Sequence, residues 1–236
     1  MTLFVFIITI PVLSILSDKI YHKAVHNHFV STPWTGIQLA ALPMFISQEN
    51  DSILFSNEVE KRYFLHVYKK LENEKLLLSQ LKKEDYDFAF YHKNYTSICN
   101  KTLSNYGELF FVNDKQVNRI LKNDKITAKV ALVLFKKHFI KWTAFVFKNL
   151  YNGFYSISNL LLFIFLILIS FLNYLKTTKK IFLILLIFGL LTFFNLLLIS
   201  IVEPIIGRYI FYNNWVLFVI IAYLLEKSTS NLKIWK

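Results

Sequence analysis

The sequence predicts an all-α membrane protein with three to four transmembrane helices and a mainly helical extracytoplasmic region. The first reason is three long apolar runs in the last third of the chain, Ile157–Leu175, Ile181–Val202 and Ile205–Leu225, free of ionisable residues until their edges. Each is close to the roughly 20 residues that a helix needs to cross a bilayer core of about 30 Å. The second is the connector Lys176-Thr-Thr-Lys-Lys180, so short and basic that it predicts a helical hairpin with its tip at a cytoplasmic surface. The third is the tail from Glu226, whose Lys227, Lys233 and Lys236 fall on the same side if each run spans once.

These observations divide the chain into five stretches. Residues 1–16 form an N-terminal transmembrane helix or anchor. The run Leu3–Leu16 has the length of a signal-peptide core, but only Met1 and Thr2 precede it and Ser17-Asp18-Lys19 is a poor cleavage site. A short or tilted membrane helix kinked at Pro11 fits better, as does the last helix of a longer bundle. If it spans, both termini are inside and there are four membrane helices.

Residues 17–125 form the extracytoplasmic region, the only part with ordinary polar patterning. The apolar segment Thr35–Ile46 is too short to span and contains Pro43, which predicts a buried or interfacial helix. Asn57 followed by Glu60 reads as a capping-box start, and Val59, Tyr63, Val67, Tyr68 and Leu71 recur on one helical face. A second amphipathic stretch follows through Leu76–Leu81. Asp85–Gly107, rich in Tyr and Asn, reads as short helices joined by loops.

Residues 126–155 read as a basic amphipathic interfacial helix. Asp114 is its expected cap, a break is expected near Asn123-Asp124, and the helix is expected to reach Leu150. Lys125, Lys129, Lys136, Lys137, Lys141 and Lys148 share one arc, with Ala131, Phe135, Phe139, Trp142, Phe145 and Val146 opposite. Lysines over aromatics suit a membrane interface. Residues 156–226 then hold the three membrane helices, and 227–236 a cytoplasmic tail.

Composition narrows the function. The formal net charge is +12, and residues 17–155 carry 20 Lys and Arg against 13 Asp and Glu. No zinc-finger spacing, RNA-binding signature or recognition-helix pattern accompanies that charge, so nucleic acid is not the expected partner. Membrane lipids or a phosphorylated substrate are. The single Cys99 excludes an intramolecular disulfide and a thiolate metal cluster. The glycines are scattered singly, so no phosphate-cradling loop exists. No cofactor and no metal are expected: His22, His26 and His28 have only Asp18 nearby and read as histidines at a membrane edge. Glu84, Asp85 and Asp87 stand beside Lys82 and Lys83 as a solvated turn, and Cys99 has no His closer than His92. Asn94-Tyr-Thr96 and Asn100-Lys-Thr102 match the glycosylation sequon, which matters only in a eukaryotic secretory lumen.

The sharpest local constellation is Glu203-Pro-Ile-Ile-Gly-Arg208-Tyr209, where a charged pair, a Pro and a Gly separate two apolar runs. As a plain helix turn, its Arg and Glu pair with each other or with lipid phosphate. As a site, Arg208 with Tyr209 grips the phosphate of a membrane-borne substrate through the planar donor fork of its guanidinium. The stretch Glu203–Tyr212, the hairpin and the aromatic and lysine-rich segment Ile126–Phe154 together resemble the C-terminal portion of polytopic C-type membrane glycosyltransferases, the dolichyl-phosphate-mannose-dependent mannosyltransferase-like group. The resemblance spans about residues 126–225. It implies transfer of a sugar from a polyprenyl-phosphate carrier at the outer face of a bacterial inner (plasma) membrane, in company with other membrane subunits. It also implies a first outer loop bearing a catalytic acid, upstream of everything here, so no catalytic residue is assigned and the chain is expected to be the C-terminal part or a partial relative of such an enzyme. The competing expectation is a non-enzymatic membrane protein whose 17–155 region is an assembly module.

Overall fold

The computed structural model describes residues 2–81 and 87–205, with a few further positions between 218 and 226. Every regular element among them is helical. The chain divides into two compact units, residues 1–82 with 94–138, and residues 83–93 with 139–236.

In the first unit, helix α1 (Thr2–His26) runs ten residues past Leu16 through Asp18, Lys19 and Lys23, so the division at residue 16 falls inside a continuous helix. Asn27 ends it in the left-handed conformation that Asn tolerates better than most residues. Helix α2 (Thr35–Ile46) is apolar all round and is buried all round from Ala40 to Ile46, the buried alternative for this segment. Helix α3 (Glu58–Asn73) starts where Asn57 accepts the Val59 amide at 2.8 Å, and buries Tyr63, Phe64, Val67, Tyr68 and Leu71. Val59, expected on that face, is exposed, and Glu60 turns away from the cap to hold Lys129 at 3.1 Å. The stretch Leu76–Leu81 holds only a 3-10 turn, Leu78–Gln80. Short helices do fill the next segment: α4 (Asp87–Thr96), most of which belongs to the second unit, then π-helical turns over Ser97–Tyr106 in the first.

The expected 126–155 helix is corrected in three respects. Helix α5 (Gln116–Lys137) passes unbroken through Asn123 and Asp124, and the break comes at His138. Asp114 does not cap it; that carboxylate takes Lys122 at 2.6 Å, and Lys115 occupies the cap position without a side-chain bond. The apolar face of α5, with Ile126, Val130, Ala131 and Leu134, packs against α2 and so is closed to lipid.

Three polar contacts set how this unit packs. Asp124 Oδ1 accepts the Gly36 amide at 2.7 Å and the Ile37 amide at 3.3 Å, so a side chain from α5 caps the otherwise uncapped start of α2. Gly36 is needed there because a Cβ would collide with the Asp124 carbonyl oxygen. Burial raises the Asp124 pKa above the usual carboxylate range, while the two amides favour the anion. The preceding residue, Asn123, is fully buried, accepts the Tyr63 hydroxyl at 2.7 Å and donates to the carbonyls of Leu103 at 2.9 Å and Ser104 at 3.3 Å. Burial also pushes the Tyr63 pKa far up, keeping its hydroxyl protonated as the donor. Finally, His138 Nε2 lies 2.7 Å from the Asp51 carboxylate, both nearly buried, and ties the end of α5 to the 3-10 turn Glu49–Leu54.

In the second unit, α6 (Phe139–Gly153) leads to the hairpin of α7 (Ile157–Thr177) and α8 (Lys180–Val202). Ser156 caps α7 by accepting the Asn159 amide at 3.1 Å, and left-handed Thr178 makes the tight connector. Both runs are therefore helices at nearly the boundaries expected. The third run, Ile205–Leu225, lies largely outside the described residues.

Replacing Asn123 by Ala strands the Tyr63 hydroxyl and two backbone carbonyls, and is expected to cost roughly 2–4 kcal/mol. Lys125→Ala, exposed on the same helix, is expected to stay within about 0.5 kcal/mol. Thermal denaturation followed by circular dichroism separates the two; equal midpoints would contradict this account of the core.

Candidate functional site

The site builds up from an ordinary deficit at a helix end. The last carbonyls of α8 have no partner one turn further on, and Pro204 has no N–H to offer. Asn149, buried on α6, makes good that deficit. Its Nδ2 donates to the carbonyls of Ser200 at 3.1 Å and Glu203 at 2.7 Å, and its Oδ1 accepts the Ile205 amide at 2.9 Å. All of its amide chemistry thus goes to one backbone turn. Ile205 then packs into a core with Leu150, Phe154, Leu160, Phe163 and Leu196, close enough that a Cβ at Gly153 would press on its side chain at 2.7 Å.

On the other side of that turn stands His92, with Nε2 3.3 Å from the Ile205 carbonyl. A carbonyl only accepts, so Nε2 carries the hydrogen and neutral His92 keeps Nδ1 as an acceptor. The helix bearing it is fixed to α6 by Phe88 and Tyr91 around Phe145, ring centroids 6.5 and 6.2 Å apart, and by Lys148 3.0 Å from Asp87. Between them lies an open cleft of about 510 Å³ lined by Phe88, Ala89, His92, Lys93, Tyr151 and Asn152. It combines an apolar and aromatic wall with an imidazole, an ammonium and a carboxamide, the mixed lining of ligand clefts in general.

Of the residues singled out in the sequence, Glu203 sits in the turn that Asn149 holds. Arg208 and Tyr209 follow Ile205 by three and four positions and lie outside the described residues. Glu84 and Asp85 also lie outside them; Asp87 is paired with Lys148. His22 and His28 line a separate cavity of about 180 Å³ with Val30, Pro33, Val117, Ile120 and Leu121. His22 lies 3.2 Å from the Thr32 hydroxyl, and Asp18 accepts the Thr32 amide at 2.9 Å, so this group fastens the loop after α1. The described residues hold no metal-ligating cluster. Cys99 is buried. Of the lysine arc, Lys129 and Lys148 are in ion pairs with Glu60 and Asp87.

Asn149 and His92 were not recognised from the sequence as site residues. The signal for Asn149 was a lone amide between Val146 and Leu150 on the apolar face of α6. His92 carried no signal, because its partner is a backbone carbonyl 113 positions away.

The chain matches no protein-family model, no curated protein and no solved structure.

Asn149→Ala is expected to free the 200–205 turn, raising hydrogen exchange at the Ile205 amide by about tenfold or more, since one lost buried bond is worth about 1–3 kcal/mol. Asn149→Asp keeps the acceptor for Ile205 but no donor, and should protect that amide better than Ala. Unchanged exchange in the Ala variant would show that the turn is held by packing alone.

Proposed function

We propose that the chain is a multi-pass membrane protein that handles a lipid-linked sugar phosphate at the outer face of a bacterial inner membrane. The observation that carries the membrane reading is the exposed apolar surface of α7 and α8. Both are long and apolar enough to span, yet only 17% and 28% of their apolar windows are buried. A core helix of a water-soluble domain would be mostly covered. Here Leu161, Phe165, Leu168, Leu191, Phe194 and Leu198 face outward, while Ser170, Gly189, Thr192 and Ser200 are buried along with Phe163, Phe182, Leu185 and Leu196. Large apolar residues outside, with small or weakly polar ones among the buried positions, are what lipid as solvent favours. Ser170 returns its hydroxyl to the Leu166 carbonyl at 2.8 Å, and Ser200 to that of Leu197 at 2.7 Å, so these buried hydroxyls stay satisfied in an apolar surround.

Orientation follows from the connector: Lys176, Lys179 and Lys180 favour the cytoplasmic side, which puts the 203–205 turn and its cleft at the opposite surface. The glycosyltransferase reading rests on the resemblance of residues 126–225, with Arg208 and Tyr209 contacting the substrate phosphate. In that reading the chain supplies a substrate-holding C-terminal part and meets its catalytic acid elsewhere. The cleft is consistent with it, since His92 in its lining bonds the Ile205 carbonyl.

Two measurements test the reading. In a Cys99→Ser background, a cysteine replacing Lys179 should resist an impermeant thiol reagent applied from outside, and labelling from outside would refute the orientation. Arg208→Lys keeps charge but loses the bidentate fork, so sugar transfer from a lipid carrier in membranes should fall markedly with abundance unchanged. Undiminished transfer would leave Arg208 an interface anchor and favour a non-enzymatic assembly role.

A further inference from the structure

We infer that the cleft between α4 and α6 binds a phosphate ester, with Lys93, His92 and Asn152 as its holders. The proposal rests on the membrane reading only for the source of that ester. Three observations converge on it. The cleft, about 510 Å³ and open, admits a phosphate together with the organic group it is attached to. Its charge is positive: Asp87 is already neutralised by Lys148 at 3.0 Å, whereas Lys93 makes no ion pair among the described residues. Lysine is a compact point charge with three donors, suited to an anion that arrives in several orientations.

The third observation is the fixed role of His92. Its Nε2–H is committed to the Ile205 carbonyl at 3.3 Å, which holds the ring in place. That leaves Nδ1 as the ring's contact with a ligand in the cleft, able to accept from a phosphate hydroxyl. The Asn152 amide can add a neutral donor, and Phe88 and Tyr151 form an apolar and aromatic wall for the rest of the ligand. The charge-assisted hydrogen bond from Lys93 is roughly twice as strong as a neutral one. The same chemistry serves a lipid-borne phosphate or a free one.

The test uses the full chain purified in detergent, with a polyprenyl monophosphate, the corresponding uncharged polyprenol and inorganic phosphate as probes, read by native mass spectrometry. Wild type should retain the monophosphate and not the polyprenol. Lys93→Gln should weaken retention about tenfold, the loss of one charge-assisted contact. Lys93→Arg should restore it, and Lys101→Gln, an exposed lysine elsewhere, should change nothing. Displacement by inorganic phosphate at comparable concentration would support the phosphate site and assign it a soluble ligand; failure to displace would support a lipid-borne one. Retention unaffected by both Lys93→Gln and Asn152→Ala, or equal retention of polyprenol, overturns the proposal. Because the readout is binding, loss of sugar transfer with binding intact would count against the glycosyltransferase reading alone.

Discussion

The outward-facing side chains of α7 and α8 place the strongest constraint on this molecule. A fully exposed Leu or Phe forgoes about 1.5–3 kcal/mol that burial would supply, and the hairpin leaves Leu161, Phe165, Leu168, Leu191, Phe194 and Leu198 half exposed or more along both helices. Water is a poor solvent for such a surface, and lipid is a good one. The proposed lipid surround accounts for other features of the second unit. Ser170, Thr192 and Ser200 are buried among Leu and Phe, the Ser170 and Ser200 hydroxyls return to their own helix, and Gly189 allows an approach at which a Cβ would lie 2.8 Å from the Ile167 side chain. The charges are kept to the two ends, Lys176 to Lys180 at one and Glu203 at the other.

A second device recurs in both units. Where a helix leaves the regular pattern, a buried asparagine on a neighbouring helix satisfies the carbonyls left over. Asn123 does so for Leu103 and Ser104 in the π-helical turns, and Asn149 for Ser200 and Glu203 at the end of α8. A carboxamide suits this task because it donates and accepts without carrying a charge into an apolar surround. In each case its oxygen is used as well, by the Tyr63 hydroxyl and by the Ile205 amide. Irregular backbone is thereby fixed rather than left to adapt, and in the second unit this fixes the Ile205 carbonyl that His92, in the lining of the cleft, bonds.

Helix class and the span limits were legible in the sequence because apolar length and lysine placement are local signals. For Thr35–Ile46 the sequence left a buried and an interfacial helix open, and of the expected α3 face Tyr63, Val67, Tyr68 and Leu71 are buried while Val59 is not. The solvent facing α5 was not legible. Ala131 beneath a lysine arc reads equally well as a lipid-facing or a protein-facing residue, and only the tertiary position of α2 decides between them. The break at His138 was hidden too, since the hydrogen bond with Asp51 that accompanies it joins residues 87 positions apart. At the site, Glu203 was marked by its Pro and its charge, while the turn's holders, Asn149 and His92, act on backbone and leave no motif.

The central claim, that α7 and α8 lie in lipid, is tested most directly by electron paramagnetic resonance of nitroxide labels at Leu168 and Leu191 in the full chain reconstituted into bilayers. Both positions are exposed, at 50% and 61%. The account predicts strong relaxation by dissolved oxygen, which partitions into the bilayer core, and little by a water-soluble nickel chelate. Strong relaxation by the nickel chelate at both positions would contradict it.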